Sequence, residues 1–332
     1  MSELCLGTMT FGEEWGWGSS KEESRRVYDA FLEAGGNFVD TANVYTSGTS
    51  ERLLGEFMTD HRGRIVLAIK YTEAAPGNDP NAAGNHRKSM MQAAEASLNR
   101  LRTDYIDLYW LHAWDQITPV DEVMRAFDDL VRQGKILHAG VCNMPAWLVA
   151  KANTLAELRG WTSFAGLQIE YSLIERTPER DLLPMAADLG LGVTAWSPLA
   201  GGLLTGKHME AGGAKDSRQN NPSIQQFMNP DARKDTVARE VVAVARESGH
   251  SPAQVALAWL RQRPDPVIPI IGARKLVQVQ DNLACVGVKL APVHVERLHA
   301  VSRIEMGAPH DLFATDMMRS LSSGGMRDQI DA

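Results

Sequence analysis

The chain has 332 residues, of which 44% are hydrophobic and 23% charged, a composition typical of globular proteins that excludes disordered and fibrous classes. Its 34 Lys and Arg against 41 Asp and Glu give a formal net charge of −7. This balance argues against a nucleic-acid partner but is compatible with a local phosphate site. The length fits two domains or one large barrel, and because no linker or composition break is present, we expect a single domain over 1–332.

The cysteines and the N-terminus indicate the compartment. Cys5, Cys142 and Cys285 are odd in number and widely spaced, so neither a disulfide framework nor a metal site is expected. The first twenty residues contain no Lys or Arg, and no apolar stretch is long enough to span a membrane. We therefore expect a cytoplasmic protein without a membrane partner. Barrel helices that face solvent or another subunit have similar patterns, so no oligomeric state is predicted.

Short apolar runs alternate with longer amphipathic ones from end to end, which is the pattern of parallel strands covered by helices. Eight such units predict a TIM-type (β/α)8 barrel. The predicted strands are Leu4–Leu6, Phe38–Asp40, Ile65–Lys70, Ile106–His112, Ile136–Val141, Ala165–Ile169, Gly192–Trp196 and Val267–Ile271.

The intervening helices carry start and stop signals. Ser20 with Glu23 predicts a capping box at the first helix, and Gly35-Gly36 predicts its end. Ser251-Pro252 predicts another helix start, with a cap and a first-turn proline.

Two segments lack such patterns. The gap before the last strand is about twice the others, and its Gly-, Asn- and Ser-rich part from about 200 to 231 predicts a long cofactor-covering loop after strand seven. The closing segment 305–332 has little helical pattern. We expect it to wrap the barrel mouth or to be mobile.

Four polar side chains with matching chemistry end or directly follow three of the predicted strands. Asp40, Tyr45, Lys70 and His112 all belong to the C-terminal end of the barrel, where such folds concentrate catalysis. A phenol has an ordinary pKa of about 10 and gives up its proton poorly unless a cation is near. Lys70 supplies that cation, Asp40 keeps it charged, and His112 is placed to hydrogen-bond a substrate carbonyl.

Each of these residues alone is more commonly structural, as a cap, a core aromatic or a solvated lysine. Their joint position favours a proton-donating site for carbonyl reduction. A Schiff-base lyase that uses Lys70 as nucleophile is a rival reading of the same residues.

The motifs around these residues resemble the aldo-keto reductase superfamily, in particular the subgroup of bacterial reductases and potassium-channel β subunits. The resemblance covers nearly the whole chain. Its motifs are Val39–Tyr45, Ser50-Glu51, Lys70, Asp107–His112, Gly140–Asn143, Gln168–Tyr171, Ala195–Lys207 and Gly272–Lys275.

This resemblance implies an NADPH-dependent oxidoreductase, with NADPH preferred over NADH, that interconverts an aldehyde or ketone and its alcohol. It implies Tyr45 as general acid, Lys70 and Asp40 as the residues that tune it, and His112 as the residue that orients the carbonyl. The implied cofactor residues are Gly7, Thr8, Met9, Asp40, Asn143, Gln168, Trp196, Ser197, Pro198, Leu199, Gly201, Gly202, Thr205, Lys207, Arg218, Gly272, Ala273, Arg274, Gln278, Asp281 and Asn282.

Within that set, Trp196 is expected to stack on the nicotinamide, and Asn143 and Gln168 to hold its carboxamide. The loop from Ser197 to Lys207 is expected to line the pyrophosphate. Arg274 is expected to face the adenosine 2′-phosphate, which favours NADP over NAD.

Aromatic residues near the strand ends predict a substrate wall made of Trp15, Trp17, Tyr71 and Trp114, with Trp110 a further candidate. The subgroup resemblance also allows a noncatalytic NADPH-binding sensor or regulatory subunit. Members of the superfamily usually begin with a β-hairpin under the barrel, whereas this sequence starts almost at strand one. We therefore expect the barrel floor to be exposed, or covered by the C-terminal segment or a partner.

Overall fold

The computed structural model describes residues 1–74, 79–209 and 232–330. Its centre is a closed barrel of eight parallel strands in sequence order, with β1 paired to β8. All eight predicted strands are confirmed, with ends that shift by at most two residues. They are β1 (Cys5–Gly7), β2 (Phe38–Ala42), β3 (Val66–Tyr71), β4 (Ile106–Leu111), β5 (Ile136–Cys142), β6 (Phe164–Glu170), β7 (Gly192–Trp196) and β8 (Val267–Gly272).

Helices cover the outside of the barrel between successive strands. In the described residues they are α1 (Lys21–Glu33), α2 (Thr49–Phe57), α3 (Arg87–Leu101), α4 (Val120–Arg132), α5 (Ala146–Arg159), α6 (Leu182–Asp188), α7 (Ala232–Ser248), α8 (Pro252–Arg261), α9 (Leu276–Leu283), α10 (Pro292–Ser302), α11 (His310–Phe313) and α12 (Asp316–Ser322). In the ranges given above, each helix is too short or too polar to cross a membrane.

The predicted helix starts are confirmed, with one correction. Ser251 and Gln254 form a complete capping box ahead of α8, with proline at its start. At α1 the Ser20 side chain accepts a hydrogen bond from the Glu23 N–H at 3.3 Å. The reciprocal bond of the predicted box is replaced, because the Glu23 carboxylate accepts from the N–H of Leu276 at 2.6 Å and so ties α1 to α9.

The barrel interior is filled by alternate side chains of the strands, since period-two alternation aims every second residue inward. Trp110 is fully buried there, beside Cys5 and Cys142. Gly140 and Gly166 make room for it, and a Cβ on Gly166 would lie 2.9 Å from the Trp110 ring. Trp110 is therefore a core residue, and its expected place in a substrate wall is wrong.

The C-terminal segment forms two short helices, α11 and α12, where little helical pattern was expected. The residues that lead into this segment contact the loop after β6, beside the barrel mouth. The Arg180 guanidinium donates to the Glu305 carbonyl at 2.6 Å, and Arg176 donates to the His299 carbonyl and the Ser302 hydroxyl. Arg176 and Arg180 follow β6, so these contacts lie at the C-terminal end of the strands rather than at the floor.

The predicted loop after β7 is partly described. Short 3-10 turns occupy Ala200–Thr205 and Lys207–Met209. Residues 210–231, which include Arg218, lie outside the described residues.

Candidate active site

A buried ion pair lies at the base of the barrel mouth, at the C-terminal ends of the strands. Asp40 of β2 pairs with Ala68 of β3, two residues before Lys70, so Asp40 and Lys70 lie on the same face of the sheet and their side chains are in direct contact. Only 2% of Asp40 and 1% of Lys70 is exposed. The Lys70 ammonium also donates to the Thr41 carbonyl at 3.2 Å, and the Gln168 amide donates to the second Asp40 oxygen at 3.0 Å. Buried charges need such partners, and both have them here.

Tyr45 lies directly above this pair, on the turn that follows β2. The Lys70 ammonium is 5.0 Å from the centroid of the Tyr45 ring. Burial raises the pKa of Tyr45 to about 12, and the Lys70 charge opposes that rise. The phenol is therefore protonated at neutral pH and faces a cation that stabilises its conjugate base.

Lys70 is held as an ammonium ion. Burial lowers its pKa, but the Asp40 carboxylate, with Tyr45, outweighs burial and leaves the pKa above its usual value. A lysine nucleophile must be neutral to attack a carbonyl. The geometry therefore disfavours the Schiff-base chemistry that the sequence left open.

His112 closes the site from the β4 side. Its ring centroid is 6.0 Å from that of Tyr45, in an edge-on arrangement. Burial, reinforced by Lys70, lowers the pKa of His112 to about 3, so the ring is neutral near pH 7. We refer to Asp40, Lys70, His112 and Gln168 as the strand-end cluster.

Three residues expected around a nicotinamide lie at or just beyond the C-terminal ends of the neighbouring strands β5, β6 and β7. The Asn143 side-chain amide donates to the His112 carbonyl at 2.9 Å, and its oxygen accepts from the Trp196 indole N–H at 3.1 Å. Gln168 sits opposite Cys142 on the neighbouring strand, with its amide nitrogen on Asp40. The two amides and the indole are thus each held by a hydrogen bond rather than free to rotate.

The loop after β7 contains a run of left-handed backbone. Ser197 and Ala200 adopt positive φ of 54° and 49°, and Gly201 and Gly202 follow at 63° and 97°. Left-handed non-glycine residues cost energy and cluster at functional sites. The turn is braced by a bond from the Gly201 N–H to the Ser197 hydroxyl at 3.2 Å and one from the Thr205 hydroxyl to the Gly202 carbonyl at 2.6 Å. Pro198 and Leu199 complete it, and Lys207 is exposed at its end.

The residues predicted for the adenosine end make bonds within the fold. The Gln278 side chain accepts from the Arg274 N–H at 2.8 Å, and the buried Asn282 amide donates to the Gly272 carbonyl at 3.4 Å. The Asp281 carboxylate accepts from Ser251 and Gln254 at the start of α8. Asp281 thus supports a helix junction, whereas Arg274 lies between the end of β8 and the start of α9.

The end of β1 lies between these two regions. Gly7 pairs with Asp40 on one side and Gly272 on the other. Thr8 is fully buried and its hydroxyl contacts the Ser50 hydroxyl at 2.8 Å. Met9 follows and is half-buried, and Ala273 is buried beside the Thr10 hydroxyl, which donates to its carbonyl.

Comparison with known proteins agrees with this geometry. The profile described as Aldo/keto reductase family matches residues 3–303. The chain belongs to this family. Norsolorinic acid reductase B of Dothistroma septosporum is 37% identical over 320 residues, which cover 93% of this chain and 80% of that protein.

Two further relatives have similar sequence identity and coverage. Aldo-keto reductase ausK of Emericella nidulans is 35% identical over 328 residues, covering 95% of this chain and 82% of that protein. Aryl-alcohol dehydrogenase [NADP(+)] of Phanerodontia chrysosporium is 36% identical over 333 residues, covering 94% of this chain and 86% of that protein. The family and these relatives establish an oxidoreductase of the aldo-keto reductase type.

Aromatic side chains ring the mouth of this aldo-keto reductase. Trp15 packs edge-on to Tyr45 at 6.3 Å between ring centroids and contacts Trp17 at 5.5 Å. Trp114 packs edge-on to Trp147 at 6.2 Å. We call Trp15, Trp17, Trp114 and Trp147 the tryptophan rim.

Tyr71 is not part of the rim, which corrects its expected place in a substrate pocket. It is fully buried and stacks on Tyr109 at 5.2 Å, next to Phe127 of α4. As the neighbour of the inward Lys70, it points to the opposite face of β3. Tyr71 therefore packs between strands and helices.

The sequence reasoning missed two residues of the site. Trp147 opens α5, four residues beyond Asn143, and is 61% exposed. Glu73 follows β3, and its carboxylate lies 3.4 Å from Nδ1 of His112. Both lie just beyond strand ends, and position alone would have made them candidates.

Proposed function

We propose that this protein is an NADPH-dependent reductase that interconverts an aldehyde or ketone and its alcohol, with Tyr45 as the proton donor. The observation that carries the proposal is the buried Asp40–Lys70 ion pair beneath the Tyr45 ring. An ammonium ion held below a phenol lowers the cost of forming phenolate during proton transfer. Asp40 holds that cation in place, because a lone buried ammonium would otherwise lose its proton.

In this proposal the substrate carbonyl lies between Tyr45 and His112. Tyr45 gives its proton to the carbonyl oxygen in reduction and takes it back in oxidation. Neutral His112 offers a hydrogen bond to the same oxygen, a role that suits an imidazole with a pKa of about 3.

The residues around the mouth fit a nicotinamide cofactor, which supplies a hydride when bound. The Asn143 and Gln168 amides keep hydrogen-bonding capacity beyond the bonds that fix them. Among the described residues, no atom lies within 4 Å of where side chains on Gly201 and Gly202 would stand, which suits close approach of a pyrophosphate to this left-handed turn. Arg274 supports the preference for a 2′-phosphate, and one relative carries NADP(+) in its name.

The tryptophan rim supports an aromatic substrate. Flat indole faces and edges bind aromatic rings by offset or edge-on packing. The relatives named for aryl alcohols and for norsolorinic acid support the same class. We propose aromatic aldehydes, aromatic ketones and aryl alcohols as the first substrates to examine.

The test is the loss of NADPH absorbance with a panel of aromatic aldehydes, quinones and cyclic ketones, repeated with NADH. The proposal predicts turnover that is faster with NADPH and strongest for aromatic members. Binding of NADPH without consumption by any member, in either direction, would refute it and favour a cofactor-sensing subunit.

A further inference from the structure

Glu73 stands beside the catalytic histidine without a role in the chemistry described above. Its Oε2 lies 3.4 Å from His112 Nδ1, and that nitrogen is buried and makes no hydrogen bond in the described residues. Catalytic hydrogen bonds are often long in unliganded enzymes and shorten when the site is filled.

The backbone before Glu73 is strained and firmly held. Thr72 has φ of 103°, a left-handed value that a β-branched residue rarely adopts. Its hydroxyl accepts from the fully buried Asn85 amide at 3.0 Å and from the His112 N–H at 3.3 Å. The Asn43 amide donates to the Glu73 carbonyl at 2.9 Å. Strain of this kind persists only where the surroundings enforce it, and here it brings the Glu73 carboxylate to the His112 ring.

We propose that Glu73 is a positioning residue that sets the tautomer of neutral His112 and so makes the rate of carbonyl reduction depend on pH. This inference rests on the proposed function. When Glu73 is protonated, its O–H donates to Nδ1, the ring proton stays on Nε2, and Nε2–H donates to a carbonyl oxygen. When Glu73 is ionised, it accepts from Nδ1–H, and bare Nε2 accepts from an alcohol hydroxyl.

The two states differ by one proton. Between them, the carboxyl and the imidazole hold two protons in the first state and one in the second. The lost proton goes to solvent, and the remaining ring proton moves from Nε2 to Nδ1. No bond to carbon changes in this step.

The other groups that face this pair keep one charge state over the relevant pH range. Lys70 stays cationic beside Asp40. Tyr45 stays neutral because burial raises its pKa to about 12, and burial also raises the pKa of Cys142 well above its usual value. Burial raises the pKa of Glu73, while Lys70 opposes the rise. Among these groups, Glu73 is the one placed to titrate near His112.

The test is nitrogen-15 NMR of the full chain with labelled histidine, followed from pH 4 to pH 9, with His112→Gln to assign the signals. We expect the His112 ring to change from the Nε2–H to the Nδ1–H form as pH rises. In Glu73→Gln we expect one tautomer throughout. Glu13→Gln, which removes an exposed carboxylate in the loop after β1, should behave as the parent does. A parent tautomer that ignores pH, or a change that persists in Glu73→Gln, would overturn the inference.

A kinetic readout distinguishes this inference from the proposed function. We expect kcat/KM for reduction to fall through the pH of the tautomer change, by up to about a hundredfold, the cost of one donor to a developing oxyanion. Glu73→Gln should lack that fall, and a fall of equal size in the variant would contradict the role of Glu73. If NADPH is not consumed by any substrate, the proposed function fails, and the NMR result alone decides whether Glu73 controls His112.

Discussion

The strand-end cluster and the tryptophan rim share one barrel mouth but are built differently. Asp40, Lys70 and Gln168 stand on strands, are almost fully buried and bond to one another. Trp15 and Trp147 stand on a loop and at a helix start, are partly exposed, and contact their neighbours through ring edges. In the proposed function, a rigid frame of strands holds the groups that assist proton transfer, while loops and helix starts carry the groups that select substrates.

The largest expected effect comes from breaking the buried ion pair. Lys70→Met leaves Asp40 buried without its cation, which costs about 3–5 kcal/mol of unfolding free energy. It also removes the charge that assists Tyr45, so we expect kcat to fall by about 10²–10⁴-fold. Urea unfolding and turnover with NADPH measure the two effects.

The double variant Asp40→Asn/Lys70→Met separates stability from catalysis. With both charges gone, unfolding free energy should return toward that of the parent chain, while turnover stays low. Recovery of turnover together with stability would show that the pair serves the fold alone.

A smaller effect tests the rigidity of the frame below the site. Gly140→Ala places a methyl group in the ring of Trp110, which fills the barrel interior. Overpacking of this kind costs about 1–3 kcal/mol. Gly192→Ala is the matched control, because its Cβ would lie 3.8 Å from the nearest atom, the Ala165 carbonyl oxygen. Thermal unfolding of the two variants should differ, and equal melting temperatures would refute this account of the interior.

The smallest effect should come from the rim. Trp147→Ala removes one edge-on aromatic contact worth about 0.5–1.5 kcal/mol, so we expect KM for aromatic aldehydes to rise about two- to tenfold. The kcat value should change little, because the strand-end cluster is intact. Leu158→Ala, at a position 79% exposed on the same helix, should leave both constants unchanged. A loss of kcat with unchanged KM would place Trp147 in the chemistry instead.

The contrast between strand residues and loop residues also explains which site residues can be predicted from the sequence. Asp40 and Lys70 end apolar runs, so the strand pattern itself assigns them to the mouth. Trp110 and Tyr71 were wrongly predicted to line the substrate pocket, although the period-two alternation of a strand separates them from the pocket. Trp110 lies one layer below His112, and Tyr71 points away from Lys70. Glu73 was missed for a different reason. Its place just beyond β3 makes it a candidate, but its contact with His112 depends on the left-handed backbone of Thr72, which the residue type at that position does not indicate.

Contacts at the helix ends were also not predicted from the sequence. Glu23 was predicted to cap its own helix, but its carboxylate bonds to the N–H of Leu276, 253 residues away in sequence. Asp281 likewise joins α9 to α8 through Ser251. Such pairings depend on how finished helices pack, so local sequence patterns do not specify them.

The most direct test of the central claim compares Tyr45→Phe with the parent chain in two assays, NADPH binding by fluorescence titration and NADPH consumption with an aromatic aldehyde. The substitution removes the phenol proton and keeps the ring that packs against Trp15 and Lys70. We predict unchanged binding and a fall in kcat of about 10²–10⁴-fold. Turnover equal to that of the parent chain, or equal loss of binding and turnover, would contradict Tyr45 as the proton donor.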